Sequence, residues 1–417
     1  MRNKRTADAL QNAALLLLTV SALFLLLRTP LLPSGRAAAS PAAPAPVQEP
    51  AEELNTMLGS VHIMVTADSE YGRYGQLCAD SQDALVQRII PLLREALGSA
   101  AELEAAAHQD FRDALEGSAL YLDFTAQLPL AALAACLDES AVSQHGVRGA
   151  ALAAGSGEEV SLYLRSEDGG LFRCATALPA SAVEEVCASV SPNGSSFAYE
   201  TNYTALDPYT LLASEVRQPP ELQAGLPAGY TDYNLLTVMD FNAHTNSRYT
   251  DRDGAVVVEE SPRTLRIGLD GKVFYSNAPP PLYRAAEKEA QTSLTDALRD
   301  AWNLATLLTG GTGASPLYLS GMDEEEDGYV VRFRYQVEGV PVCFPDESAA
   351  LEVTVRGAAV TAFTYRCRSY TPSEESGAPL LPPAMAAAMA SLHPDSGLSL
   401  AYVDGGNANL SPGWLAQ

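Results

Sequence analysis

The 417-residue chain carries 51 acidic against 26 basic side chains, a formal net charge of −25. A body this acidic repels polyphosphates and anionic lipid head groups, which excludes nucleic-acid binding and electrostatic docking on a membrane surface. Its hydrophobic content of 47% is that of a globular protein rather than a disordered one.

The first element is an apolar segment from Ala9 to Leu27 with a leucine-rich core, Leu15–Leu27. At 1.5 Å per residue such a helix spans roughly 28 Å, close to the hydrocarbon thickness of a bilayer. Arg2, Lys4 and Arg5 precede it, which predicts a single-pass anchor in the cell membrane, a cytoplasmic N-terminus and an extracellular body. Arg28 and Arg36 weaken that bias, and Ala37-Ala38-Ala39 leaves a cleaved signal peptide as the alternative. Helices in lipid associate through small residues and hydrogen bonds, so Asn12, Thr19 and Ser21 are the candidate contacts with a partner's transmembrane helix. The plainer reading rests Asn12 at the interface and bonds Thr19 to its own backbone.

The expected organisation is a cytoplasmic tip and anchor at 1–28 and an Ala/Pro-rich linker at 29–53, which cannot bury a core. An N-terminal α+β domain at 54–217, a middle helix-plus-hairpins domain at 218–281 and a C-terminal helix-on-antiparallel-sheet domain at 282–417 follow. In the first, helical spacing predicts helices at Asp83–Leu97, Ala101–Leu115 and Ala180–Val190, and a helix opened by its proline at Pro129–Leu137. Ser118–Phe124 reads as a strand. Val160–Arg165 and Leu171–Ala177 read as a hairpin with glycine at the reversal. Helices and hairpins without βαβ alternation predict the α+β class.

The second half contains a weak internal repeat. Asp253-Gly254 through Leu265 to Gly271 matches Glu338-Gly339 through Leu351 to Gly357, with six residues from leucine to second glycine in both copies. A helix precedes each copy, Asp232–Met239 and Leu282–Leu308, the latter ended by Gly310-Gly311. The pattern predicts two tandem helix-on-sheet units with Leu265 and Leu351 in equivalent buried places. Tyr329–Val337 alternates as a half-buried strand. Pro382–Ser391 reads as a helix, and Leu398–Val403 and Leu410–Leu415 read as closing strands.

Residue chemistry offers no catalytic, metal or cofactor constellation. His62, His108, His145, His244 and His393 are scattered, without H-x-x-x-H or H-E-x-x-H spacing. Asp251-Arg252-Asp253-Gly254 opens like a calcium loop but lacks the third acidic ligand and the terminal glutamate, so a hairpin turn explains it better. The charge run Met322–Gly328 reads as a solvated loop tip. Thr245–Thr250 is either a binding surface or a strand with its hydroxyls in solvent. Cys187 and Cys343 have no base beside them in sequence. The six cysteines, Cys78, Cys136, Cys174, Cys187, Cys343 and Cys367, are compatible with disulfides or with buried thiols.

Several segments carry a resemblance. Asn193-Gly-Ser-Ser-Phe-Ala-Tyr-Glu200, Leu206-Asp-Pro-Tyr-Thr-Leu211, Phe241–Thr250, Gly328-Tyr-Val-Val-Arg-Phe333, Gly339-Val-Pro-Val342 and the closing Pro412-Gly-Trp414 resemble membrane-anchored proteins of the YycH/YycI type, and look more like clostridial YycH-like proteins than like either founding member. The resemblance implies a non-enzymatic regulator of the WalK (YycG) sensor histidine kinase, which governs cell-wall metabolism in Gram-positive bacteria. It implies contacts in and outside the membrane with that kinase and with a paralogous single-pass regulator. It supplies no catalytic residue and no cofactor. Two other readings stand beside it: an anchored cell-envelope binding or inhibitory module with cystatin-like or PepSY-like units, and a wall enzyme with dispersed catalytic residues.

Overall fold

The computed structural model describes residues 57–67, 72–133, 146–155, 158–242, 246–277, 293–357, 359–373, 377–393 and 397–416. All of them belong to one unit, Pro50–Gln417. The anchor segment, the linker, Cys136, His145 and His244 lie outside the described residues.

The first half runs β1 (Val61–Ala67), β2 (Arg73–Ala79), α1 (Ala84–Gly98), β3 (Glu104–Ala105), α2 (His108–Glu116), β4 (Ser118–Pro129), α3 (Leu130–Leu133), β5 (Gly146–Ala154), β6 (Glu159–Arg165), β7 (Leu171–Pro179) and α4 (Ala180–Ala188). Its seven strands form an antiparallel sheet of order β2-β1-β4-β5-β6-β7-β3. Period-two alternation separates the two faces. Ile63, Val65, Leu120, Leu122, Leu152 and Leu162 pack with Ile89 and Leu93 of α1 and Val183 of α4. Met64, Tyr121, Ala151 and Tyr163 face the other way, onto Phe111 of α2 and the aromatic rings of Phe197 and Tyr209. Asp83 caps α1 by accepting from the Leu85 amide at 2.8 Å.

Two expectations change here. Ala101–Leu115 is not one helix. Glu104 and Ala105 pair with Arg173 and Phe172, covering the outer edge of β7, and the helix starts at His108. Pro129 does not open its helix but ends β4, opposite Gly146, and the described turn of helix is Leu130–Leu133. The remainder of that expected helix lies outside the described residues.

The chain crosses over through β8 (Ser196–Phe197), β9 (Leu211–Leu212) and β10 (Leu222–Gly225). The second half then runs α5 (Asp232–Val238), β11 (Ser247–Thr250), β12 (Val256–Glu260), β13 (Arg263–Ile267), β14 (Lys272–Asn277), α6 (Leu294–Thr312), β15 (Leu317–Glu325), β16 (Gly328–Val337), β17 (Val340–Cys343), β18 (Leu351–Arg356) and β19 (Ala359–Arg366). It closes with β20 (Ser369–Pro372), α7 (Pro383–Ala390), β21 (Leu398–Val403), β22 (Asn409–Leu410) and β23 (Pro412–Ala416). A sheet of eleven strands has the order β11-β12-β13-β14-β19-β18-β16-β17-β21-β23, with β15 on β16.

The duplicated pattern is visible in that order. Each copy is a helix followed by a four-stranded antiparallel meander, α5-β11-β12-β13-β14 and α6-β15-β16-β18-β19, with β17 inserted in the second. The meanders join through their last strands. Val273 faces Tyr365 and Tyr275 faces Phe363, an arrangement in which the copies exchange places about Phe274 and Thr364. Leu265 and Leu351 both stand on the third strand, both fully buried, and each faces a tyrosine of the fourth, Tyr275 or Tyr365.

Helix α6 corrects its expected end. It continues through Gly310 and Gly311 and stops at Gly313, whose φ of 74° supplies the left-handed cap. Gly311 serves packing instead: a Cβ there would collide with Val238 of α5. Ser293 caps the start of the described helix, and the preceding expected turns fall outside the described residues. Met322–Gly328 forms the β15–β16 hairpin with an exposed tip, and β11 is an exposed edge strand.

Candidate functional site

Four neighbouring strands place one residue each in a single cross-strand row. His62 of β1 faces Asp123 of β4, Asp123 faces Gly149 of β5, and Gly149 faces Arg165 of β6. Residues directly opposite one another share a sheet face. Gly149 is required there, because a Cβ would come within 2.8 Å of the Tyr121 hydroxyl. The row is therefore polar within strands that are otherwise apolar and buried.

Asp123 is its centre. Arg148 Nε donates to Asp123 Oδ1 at 3.0 Å, Arg165 Nη2 lies 3.9 Å from Oδ2, and the Thr125 amide donates to Oδ1 at 2.8 Å. Burial alone raises a carboxyl, but the two guanidinium groups, His62 and the amide reverse that and hold Asp123 at about 2. Arg165 also donates to Asp207 at 2.6 Å. His62 Nδ1 accepts the Cys78 amide at 3.0 Å, so its ring proton is on Nε2. Burial lowers His62 to about 4 in spite of Asp123, so the imidazole is neutral near pH 7.

The second half contributes Arg334 from β16. Its Nη1 donates to the Thr125 carbonyl at 3.3 Å and its Nη2 to the Thr125 hydroxyl. Thr125 has φ 57°, a conformation a β-branched residue adopts only when its surroundings impose it. Among the described residues no carboxylate lies within ion-pair distance of Arg334. Burial lowers its guanidinium to about 10, with Arg148 adding to the effect and Cys343 opposing it. Arg334 Nε and His62 Nε2 are both buried without an acceptor among the described residues.

These groups line a cavity of about 580 Å³ between the halves. Its rim includes Asp323 and Arg332, which pair at 2.5 Å, and Ser399 of β21. Three further contacts hold the seam beside it. The Ser60 amide donates to Gln336 at 2.8 Å, Leu58 bridges to Leu319, and Gly339, at φ 80°, sits so close to the Cys78 carbonyl that no side chain fits.

The His62 acceptor nitrogen is committed to backbone, and the imidazole protonates only near pH 4. Cys187 donates to the Ala119 carbonyl at 3.9 Å, and burial pushes its thiol up to about 12, so it is no thiolate nucleophile. Cys343 ends β17, within the apolar strand expected for it. The five described cysteines form no disulfide with one another. Asp251 accepts the amides of Asp253 and Ala255 and pairs with Arg266 at 2.8 Å, as a hairpin turn. Among the described residues no cluster of His, Cys, Asp and Glu is placed to hold a metal, and no helix is long and apolar enough to cross a membrane. Asn12, Thr19 and Ser21 lie outside the described residues.

No family model matches the sequence, and no curated protein matches it. The structure does match a solved one. The crystal structure of YycH from Bacillus subtilis aligns with a TM-score of 0.52 over 87% of this chain and 94% of that chain, at 10% sequence identity. The chain has a YycH-like fold. At that identity the alignment shows architecture alone. Within this chain, several segments that carried the sequence resemblance make defined contacts. Asn193 bonds both the amide and the carbonyl of Gly75, Glu200 pairs with Arg73, and Asp207 reaches the candidate site through Arg165. Sequence reasoning missed His62, Asp123, Arg148, Arg165 and Arg334 as a group.

Proposed function

We propose that this chain is a membrane-anchored, non-enzymatic regulator of a cell-wall-sensing histidine kinase, a YycH-like protein of the clostridial kind. The observation that carries this reading is the YycH-like fold extending over 87% of this chain and 94% of the other. The apolar segment Ala9–Leu27 and the acidic body agree with it. In this reading the helix anchors the body outside the cell membrane, and Asn12, Thr19 and Ser21 meet a kinase transmembrane helix. A regulator without catalysis informs its partner only by binding it differently in two states. Polar contacts between helices in lipid are worth roughly 0.6–2 kcal/mol each, enough to bias a kinase but not to hold it, so the body adds contacts of its own.

The test is co-purification of the full-length chain with the histidine kinase, alongside a reporter of the kinase's output. Kinase capture, and altered output on deletion, support the reading. Unchanged output and no capture overturn it. Asn12→Leu with Thr19→Leu is expected to weaken capture while membrane insertion persists. Protease added to spheroplasts is expected to digest the body, and a protected body refutes the topology.

A second reading, an anchored protein-binding or inhibitory module of the cell envelope, is favoured by one observation. The second half repeats a helix and a four-stranded meander, a compact unit suited to presenting loops to a protein. Capture of envelope proteins other than a kinase distinguishes it.

A further inference from the structure

We propose that the cavity between the halves is a ligand site that takes the carboxylate of a small monoanionic organic molecule, with Arg334 as its main anchor. A guanidinium offers five N–H donors, and Arg334 commits only one from each Nη nitrogen, both to Thr125. Its Nε has no acceptor among the described residues, and neither does Nε2 of His62 in the same wall. A buried donor left unpaired costs roughly 1–3 kcal/mol, so the wall gains from an occupant whose entry shifts it enough to bring an acceptor within reach of either nitrogen.

The charge count selects the ligand class. In the deep part of the cavity Arg148 and Arg165 are matched by Asp123 and Asp207, which leaves Arg334 as one excess positive charge beside a neutral imidazole. Over the whole lining five carboxylates face four guanidinium groups. A monoanion is neutralised at Arg334, whereas a dianion such as phosphate meets net repulsion. Paired N–H donors of a guanidinium also fit the two oxygens of a carboxylate. The volume of about 580 Å³ lies within the range that holds a ligand well beyond acetate in size. Ser399 Oγ, buried without a partner among the described residues, lies on the same lining and offers a neutral hydrogen bond to the rest of the molecule. The site draws on β1, β4, β5 and β6 of one half and β16 of the other, so an occupant also ties the halves together.

The probes are acetate, N-acetylglycine, which adds an amide to the same head group, and inorganic phosphate. They are titrated by calorimetry into the detergent-solubilised full-length chain at constant ionic strength. N-acetylglycine is expected to bind more tightly than acetate, and phosphate more weakly than either. Arg334→Gln is expected to weaken N-acetylglycine at least tenfold. Should Arg334→Gln fail to melt cooperatively, the wild-type chain labelled with ¹⁵N-histidine replaces it: N-acetylglycine is expected to shift one imidazole signal, the one missing from His62→Gln. No carboxylate binding, tighter phosphate binding, equal affinity in Arg334→Gln or an unmoved His62 signal would each overturn the proposal.

Discussion

Arg334 donates to both the carbonyl and the hydroxyl of Thr125, a residue 209 positions earlier in the chain. The contact joins β16 of the eleven-stranded sheet to β4 of the seven-stranded sheet in the wall of the cavity. Replacing Thr125 with valine keeps the branched shape and removes the hydroxyl acceptor from a charged donor. The expected loss is about 1–3 kcal/mol of unfolding free energy, read as a lower denaturant midpoint. Thr125→Ser, which keeps the hydroxyl, is expected to lose less than half of that. A Thr125→Val variant as stable as wild type, or one that loses less than Thr125→Ser, would show that the methyl group rather than the hydrogen bond carries the effect.

Acid is expected to destabilise the chain in two windows. Burial takes His62 from its ordinary 6.5 to about 4, so the folded state resists a proton that the unfolded chain accepts. The stability this supplies is complete above pH 6.5 and is lost as the pH falls to 4, about 3 kcal/mol in all. Burial raises Asp123, but Arg148, Arg165 and His62 outweigh it and take the carboxyl from 3.8 to about 2. Its contribution, about 2 kcal/mol, is complete above pH 3.8 and is lost on falling to 2. Denaturant unfolding of wild type and His62→Gln across pH 7 to 4 checks the first window. The slope is expected to flatten in the variant, and parallel slopes would remove His62 as its source.

Adjacent glycines of α6 are expected to respond in opposite directions. A Cβ at Gly310 meets nothing within 4 Å, whereas one at Gly311 collides with Val238 of α5. Gly310→Ala therefore gains helix propensity, up to about 1 kcal/mol. Gly311→Ala overpacks a helix–helix contact at about 1–3 kcal/mol. Adding Val238→Ala to Gly311→Ala is expected to recover part of the loss. Thermal melts of wild type, Gly311→Ala, Val238→Ala and the double variant close the cycle, and a Gly311→Ala as stable as Gly310→Ala would contradict the packing.

Much of the architecture was legible because local patterns encode it. Alternation and a glycine reversal located the hairpin at Val160–Ala177, where Gly169 has φ 85°. Turn glycines and one leucine per copy exposed the repeat. What failed locally was decided by tertiary partners. Glu104 and Ala105 have helical neighbours but meet an open strand edge, and Gly310-Gly311 looks like a stop signal until Val238 is seen against it. The candidate site was not legible as a unit, because each half contributes residues that only folding assembles. A signal did exist: His62, Asp123, Arg165 and Arg334 are each a polar residue inside an apolar strand, VHIMV, ALYLDF, VSLYLR and YVVRFRY. A charge in a strand buried on both faces calls for a partner, but the sequence does not say which one.

Reactive thiols are expected to be few. Burial pushes Cys78 and Cys187 up to about 12 and Cys174 up to about 11, leaving almost no thiolate at pH 8. Iodoacetamide followed by mass spectrometry is expected to leave all three unlabelled in the folded chain and to label them in denaturant. Rapid native labelling of Cys187 would revive it as a nucleophile.

The two halves of the repeat are expected to fail alike when the same position is hollowed out. Leu265 and Leu351 are each fully buried on the third strand of a meander, each opposite a tyrosine of the fourth. Truncating a buried leucine to alanine removes its transfer energy and leaves a cavity, at about 2–5 kcal/mol. Leu265→Ala and Leu351→Ala should both fall in that range. Leu269→Ala is the control: it lies in the turn between β13 and β14 with 75% of its surface exposed, and its effect should stay within about 0.5 kcal/mol. Because β14 and β19 weld the meanders into one sheet, each truncation should shift a single cooperative transition rather than release one copy alone. Denaturant melts followed by near- and far-ultraviolet circular dichroism decide this. Two separated transitions in either leucine variant would show that the copies unfold independently and that the joint between Tyr275 and Phe363 is weaker than its register implies.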